Sequence, residues 1–210
     1  MKQKYSSYKL LALSSALSAL SLTAAAQNAN VVYQDSNVRF TLVTDGTVRM
    51  EYAPDGKFLD NKSFIAVNRS YPEVKYKKNE TAKKVVISTD YLTLSYTKGS
   101  GPLTERNLSI VSAKTKKKTA DGKHLIPFAW HPGQKDAPDA NLKGTYRTLD
   151  GYDGDSRSDT GKMPIEDGLL SRSGWTLIDD SEGYVFDNSD WQWVEHRPNE
   201  GKTQDMYFLA

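Results

Sequence analysis

Val38-Arg39-Phe40-Thr41-Leu42-Val43-Thr44-Asp45-Gly46-Thr47-Val48-Arg49-Met50-Glu51-Tyr52 holds two alternating runs. Val38, Phe40 and Leu42 alternate with Arg39, Thr41 and Val43, and Val48, Met50 and Tyr52 alternate with Arg49 and Glu51. In an extended chain successive side chains point to opposite faces, so each run presents one apolar face. Asp45-Gly46 between them is a strong short-range hairpin signal. Further runs predict strands at Ser63–Val67, Lys84–Thr89, Tyr91–Thr97 and Leu108–Ala113, with a second hairpin hint at Asp121-Gly122. No segment keeps a 3.6-residue apolar period over three turns, so helices are expected to be short or absent. Short strands punctuated by Gly, Asp and Asn predict an all-β fold, an antiparallel β-sandwich. Beyond about residue 130 Gly, Asp and Trp thicken and the alternation fades; that half is expected to form long loops laid over the sandwich.

The chain has 210 residues, 38% hydrophobic and 26% charged, with a formal net charge of +2 and no cysteine. The absence of cysteine excludes a disulfide framework, a thiolate zinc site, a cysteine nucleophile and a lipoprotein anchor. Residues 1–26 read as a secretory signal peptide: Lys2, Lys4 and Lys9, an apolar stretch from Leu10 to Leu22, then Ala24-Ala25-Ala26. Ser14, Ser15, Ser18 and Ser21 interrupt that stretch, which is too short for the ~20 apolar residues of a membrane span. The body, residues 27–210, is therefore expected to be a periplasmic or secreted domain. Its 25 basic and 26 acidic groups nearly cancel, which argues against nucleic acid and anionic membrane as partners. The lysine runs (Lys75, Lys77, Lys78, Lys83, Lys84, and Lys114, Lys116, Lys117, Lys118) are expected at solvated turns or along sheet edges.

Chemistry-bearing motifs are sparse. The sequence has no G-x-S-x-G, phosphate-binding loop, dinucleotide fingerprint or H-E-x-x-H. His124, His131 and His196 lack metal-ligand spacing and read as surface or loop histidines. Asp150, Asp153, Asp155 and Asp159 suggest a calcium loop, but an EF-hand starting at Asp153 would place Arg157 and Pro164 where ligands are required. A polar surface loop is the preferred reading, and no metal or cofactor is expected. Retaining glycosidic hydrolysis needs two carboxyls about 5–5.5 Å apart. Asp179-Asp180 would point to opposite faces of a strand, and a turn into Ser181-Glu182-Gly183 is the better reading; Glu166-Asp167 is a second such pair. Trp191 and Trp193 share a face if their segment is a strand and could stack on a sugar ring, although core packing is favoured for them and for Trp175.

One longer pattern stands out. Asn141-Leu142-Lys143-Gly144-Thr145-Tyr146-Arg147-Thr148-Leu149-Asp150-Gly151 is followed by Gly168-Leu169-Leu170-Ser171-Arg172-Ser173-Gly174-Trp175, then Asp179-Asp180-Ser181 and Gln204-Asp205-Met206-Tyr207-Phe208. This series resembles the N-terminal region of glycoside hydrolase family 31, the α-glucosidase and α-xylosidase family, in its exported Bacteroidetes-type form. The resemblance implies a galactose-mutarotase-like β-sandwich over residues 27–210, packed on a (β/α)8 barrel that carries both catalytic aspartates. Those aspartates follow the Q-D-x-Y-F element, and the sequence stops at Leu209-Ala210. The resemblance thus implies a chain truncated before the barrel, with no catalytic residue of its own and no activity alone. It further implies an α-linked oligosaccharide or glycoside as ligand, with a loop reaching toward the sugar. Asp150 is the candidate hydroxyl acceptor on that loop, and a turn-forming Asp-Gly is the competing reading. Arg147 and Arg172 are expected to pin these loops through carboxylates. Two further alternatives are a free-standing exported carbohydrate-binding sandwich without catalysis and a structural or adhesive β-domain without ligand.

Overall fold

The computed structural model describes residues 30–113, 126–144, 167–198 and 201–210. The segment 1–29, with the signal-peptide reading, lies outside them, as does Asp121-Gly122. Twelve strands occur among the described residues. In the first sheet they are β1 (Val31–Gln34), β2 (Val38–Thr44), β3 (Thr47–Tyr52), β9 (Thr176–Asp179) and β12 (Gln204–Leu209), in the order β1-β2-β3-β12-β9. The second contains β4 (Lys77–Glu80), β5 (Lys84–Ser88), β6 (Leu92–Thr97), β7 (Leu108–Ser112) and β8 (Ala129–Trp130), in sequential order. A small hairpin, β10 (Val185–Phe186) with β11 (Val194–Glu195), stands apart. All pairings are antiparallel.

The hairpin at Asp45-Gly46 forms, with an irregularity that matters. A plain two-residue loop would set Leu42 opposite Arg49 and Phe40 opposite Glu51, matching apolar with charged positions. Instead the register shifts by one between Leu42 and Thr44, pairing Leu42 with Val48, Phe40 with Met50 and Arg39 with Glu51. One extra residue on β2 restores an apolar face and a charged face to both strands. Gly46 suits a close approach: a Cβ there would lie 3.2 Å from the carbonyl oxygen of Ala210, a tight contact, and the Ala210 N–H donates to Gly46 O at 2.9 Å.

The apolar faces of the two sheets make one core. Phe40, Leu42, Val48, Met50, Met206 and Phe208 meet Val85, Ile87, Leu92, Leu94, Tyr96, Leu108, Ile110 and Trp130. Ring contacts cross between the sheets, with Phe40 edge-on to Tyr96 at 5.2 Å and Phe208 5.1 Å from Trp130. Strands β5, β6 and β7 match the runs that predicted them. Lys77 and Lys78 lie on β4, a fully exposed strand at the edge of the second sheet, where charged side chains discourage further pairing. The other lysine run, 114–118, lies outside the described residues.

Two expectations need correction. Ser63–Val67 is an irregular segment tied to β10 by a single bridge at Ser63–Val185, and Phe64, Ile65 and Val67 are exposed. The C-terminal half is more than a set of covering loops: β12 lies between β3 and β9 in the first sheet. Like β2 and β3, β12 is buried on both faces.

Gly56 supports a direct prediction. Its φ is +71°, and a Cβ placed on it would lie 2.6 Å from Ser36 O; both oppose a side chain. Gly56→Ala is expected to cost about 1–3 kcal/mol, read as a lower urea midpoint; an unchanged midpoint would contradict this account of the turn.

Candidate functional site

The charged residues of the first hairpin do not face water. On the outer face of the first sheet Arg39, Arg49, Glu51 and Asp205 are buried, covered by the segment 58–69 and by the chain from Asp180 to Arg197. Cross-strand register brings them together, because Glu51 on β3 lies opposite both Arg39 on β2 and Asp205 on β12. Arg39 grips Glu51 with Nε at 2.6 Å and Nη2 at 2.8 Å, and it also reaches Asp60. Arg49 donates to both oxygens of Asp205 at 2.8 Å and pairs with Glu51 at 2.9 Å. Arg197 joins Asp205 at 2.9 Å to Asp180 at 2.5 Å, and Asp180 accepts from Ser63 Oγ at 2.6 Å. Arg69 donates to the buried Tyr207 hydroxyl and to Asn61 O.

The carboxyls of this network titrate differently. For Asp205, burial raises the pKa, but hydrogen bonding and charge from Arg49, then Arg197, outweigh it and leave the carboxyl below its ordinary value. Burial pushes Glu51 up against the opposing pull of Arg39 and Arg49. Asp180 is also raised, chiefly by burial, and its buried Oδ1 has no partner among the described residues. A carboxylate with a raised folded-state pKa contributes a stability that falls as pH rises from the ordinary carboxylate value through the raised one. Asp180→Asn removes that decline while its amide oxygen still accepts from Ser63 and Arg197. The variant is expected to unfold in urea at a midpoint no lower than the parent's at pH 7. A large drop there would mean that the Asp180 charge stabilises the fold.

A second feature lies on the β10–β11 hairpin. Trp191 and Trp193 are 76% and 64% exposed, which corrects the core-packing expectation. Their loop is ordered by its own polar groups. Asp187 Oδ1 accepts from Ser189 N–H and Trp193 N–H, Asp187 N–H donates to Trp193 O, and the Ser189 hydroxyl has both Asp187 Oδ1 and Trp191 O within reach of its one proton. Trp191 lies outside the strands, so strand periodicity does not place the pair on one face. Phe64 and Tyr184 adjoin the hairpin, with Phe64 5.1 Å from Phe186 on β10 and His196 4.7 Å from Tyr184. Trp175, by contrast, is core, stacked on Phe208 as expected.

Asp150, the candidate sugar contact, lies outside the described residues, together with Arg147, Glu166, His124, Asp153, Asp155 and Asp159. The chain on either side of that stretch is clamped. Asn141 exchanges side-chain hydrogen bonds with Gly168, Leu142 N–H donates to Leu170 O, and Lys143 pairs with Asp167. A Cβ on Gly168 would sit 2.3 Å from Lys143 O, so this neck admits only glycine there. Beside it lies a polar depression of about 850 Å³ bordered by Asp136, Asp139, Lys143, Asp167 and Trp175. Arg172 is exposed and donates its backbone N–H to Ala140 O. Asp179 and Asp180 do diverge: Asp179 is exposed and accepts from Ser181, whereas Asp180 is buried. His131 and His196 sit in loop segments, and among the described residues no group of three or more His, Asp or Glu could hold a metal.

No protein-family model matches this chain, and no curated protein matches it. Among solved structures it has a similarity to the crystal structure of a GH31 alpha-xylosidase from Xanthomonas citri, at 21% identity and a TM-score of 0.28. The match covers 46% of this chain and 9% of that one. This is a weak, partial similarity and does not place the chain in the family. Among the described residues no helix is long and apolar enough to cross a membrane.

Proposed function

We propose that this chain is an exported, non-catalytic β-sandwich that binds carbohydrate through the Trp191–Trp193 loop. The observation that carries the reading is the ordering of that loop by Asp187 and Ser189 while both indoles stay in solvent. Large exposed apolar surface on a small domain marks a contact site. A rigid aromatic loses little entropy on binding and offers its face to the C–H groups of a sugar ring. The sequence resemblance supports α-linked glycosides as the ligand class.

Calorimetric titration with maltose, isomaltose and xyloglucan oligosaccharides tests this. At least one is expected to bind, and Trp191→Ala or Trp193→Ala to weaken it about tenfold each, or about 1.4 kcal/mol. Silence toward every sugar by a stable monomer would leave a structural β-domain and remove the proposal.

A separate observation favours a second reading, in which residues 27–210 pack on the catalytic barrel of an α-glucosidase-like retaining hydrolase. Leu169 and Leu170, within the segment resembling the family, are 63% and 68% exposed. A barrel supplied as a separate polypeptide is then expected to co-purify with this chain, and Leu169→Glu with Leu170→Glu to abolish that association.

A further inference from the structure

The buried charges of the first sheet form the floor of a pocket. At the end of the sheet where β3 finishes and β12 begins, a cavity of about 380 Å³ is lined by Glu51, Asp205 and Arg197 together with Phe58, Lys57 and Thr203. That volume falls within the usual range for small-molecule sites. Phe58 forms a half-buried wall, backed by the Arg39 guanidinium 4.8 Å from its ring centre.

An inventory of acceptor positions narrows the chemistry. Each carboxylate oxygen offers about two lone-pair sites. Among the described residues Glu51 accepts from Arg39 at both oxygens, Nη2 on Oε1 and Nε on Oε2, while Arg49 Nη2 lies 2.9 Å from Oε1 as an ion-pair contact. Asp205 Oδ2 accepts, among the described residues, from Arg49 and Arg197, and Oδ1 from Arg49 Nε. Each carboxylate therefore keeps at least one acceptor position among the described residues, and the two residues are direct cross-strand partners, which places their Cβ atoms about 5 Å apart. Spare acceptors select a ligand that donates. Arg39, Arg49 and Arg197 largely offset Glu51, Asp205, Asp60 and Asp180, and Asp55 and Lys57 on the rim oppose each other, so no strong net charge selects a charged ligand. Neutral hydroxyls suit both constraints.

We propose that this pocket binds a neutral polyhydroxyl unit, a pyranose or polyol, which donates hydroxyls to Glu51 and Asp205 and lays a C–H face on Phe58. The site is separate from the Trp191–Trp193 loop and does not rest on that reading.

The test is an amide-resolved NMR titration of the purified protein with D-glucose, D-xylose, D-glucosamine and D-glucuronate. Glucose or xylose is expected to shift the amides of Lys57, Phe58 and Thr203, while the charged sugars act at least about tenfold more weakly, or about 1.4 kcal/mol. Phe58→Ala should weaken the response about tenfold. Thr203→Trp, a rim change that fills the cavity and leaves the arginine–carboxylate network in place, should abolish it. Trp191→Ala with Trp193→Ala should leave it intact. The proposal is overturned if neutral sugars leave those amides unmoved, if a charged sugar binds as well, or if Thr203→Trp binds like the parent. Loss of the Lys57 and Thr203 responses in the double tryptophan variant would overturn it too, and would assign all sugar contact to the aromatic loop.

Discussion

Replacing Asp205 by alanine is expected to lower the unfolding free energy by about 3–5 kcal/mol. Asp205 receives Arg49 at both oxygens and Arg197 at one, with its side chain 5% exposed. Its removal leaves Arg49 with Glu51 and Arg197 with Asp180, so two buried cations each lose a partner. Breaking a buried pair from one side is costly because the remaining charge cannot be rehydrated without opening the structure. The sign of the pH dependence follows from the lowered pKa of Asp205. Such a group contributes stability that is present above its unfolded-state value, near 3.9, and is lost as pH falls through the folded-state value. The parent should thus show an acid-labile component below about pH 4 that Asp205→Asn lacks. Equilibrium urea unfolding at pH 3 and pH 7 measures both effects. A loss under about 1 kcal/mol for Asp205→Ala would mean that water reaches this network freely. Asp180→Asn is the internal control, because the raised pKa of Asp180 gives it the opposite pH dependence within the same cluster.

Where one face of a strand is apolar and the other polar, the sequence was easy to read. The runs at 38–52, 84–89, 91–97 and 108–113 all became strands because their apolar positions meet across one core. The same alternation says nothing of where the alternate residues end up. Arg39, Arg49 and Glu51 look like solvent-facing positions, and they are buried because distant segments fold over them. Only the pairing register reveals that Arg39 lies opposite Glu51, and that register depends on a bulge that no propensity announces. Strand β12 alternates in the same way, with Asp205 and Tyr207 toward the ion network and Met206 and Phe208 toward the core, but its place between β3 and β9 rests on pairing with distant segments. Strands β8, β10 and β11, at two residues each, are set by tertiary contacts alone. Phe64, Ile65 and Val67 erred in the other direction: an apolar run at the surface mimics a strand. The Trp191–Trp193 loop was legible as a candidate sugar contact. Its exposure was not, because tryptophan is more often buried and the polar bonds that hold this loop open involve Asp187 and Ser189, residues common in any turn.

Phe208→Ala carries the second large effect, from the opposite face of the same strand. Phe208 is fully buried, stacks on Trp175 at 6.2 Å and packs against Trp130 at 5.1 Å and Phe128 at 5.5 Å. These rings come from separate parts of the chain: Phe128 and Trp130 at the start of the second half, Trp175 beside β9, and Phe208 on β12. Truncation removes the ring and leaves a cavity whose remaining walls are rigid aromatics, which collapse poorly. The expected cost is about 3–5 kcal/mol. Phe208→Leu, which keeps much of the volume, should cost less than half as much. Urea unfolding followed by tryptophan fluorescence reads both, since Trp130 and Trp175 report the change directly. Trp191 and Trp193 stand outside this cluster. The folded fraction of Phe208→Ala should therefore retain whatever sugar affinity their loop confers, and a parallel loss of affinity per folded molecule would show that the loop takes its shape from the core. If Phe208→Ala instead costs no more than Phe208→Leu, the two sheets must close around the missing ring, and β12 would be a movable strand where this packing requires a fixed one.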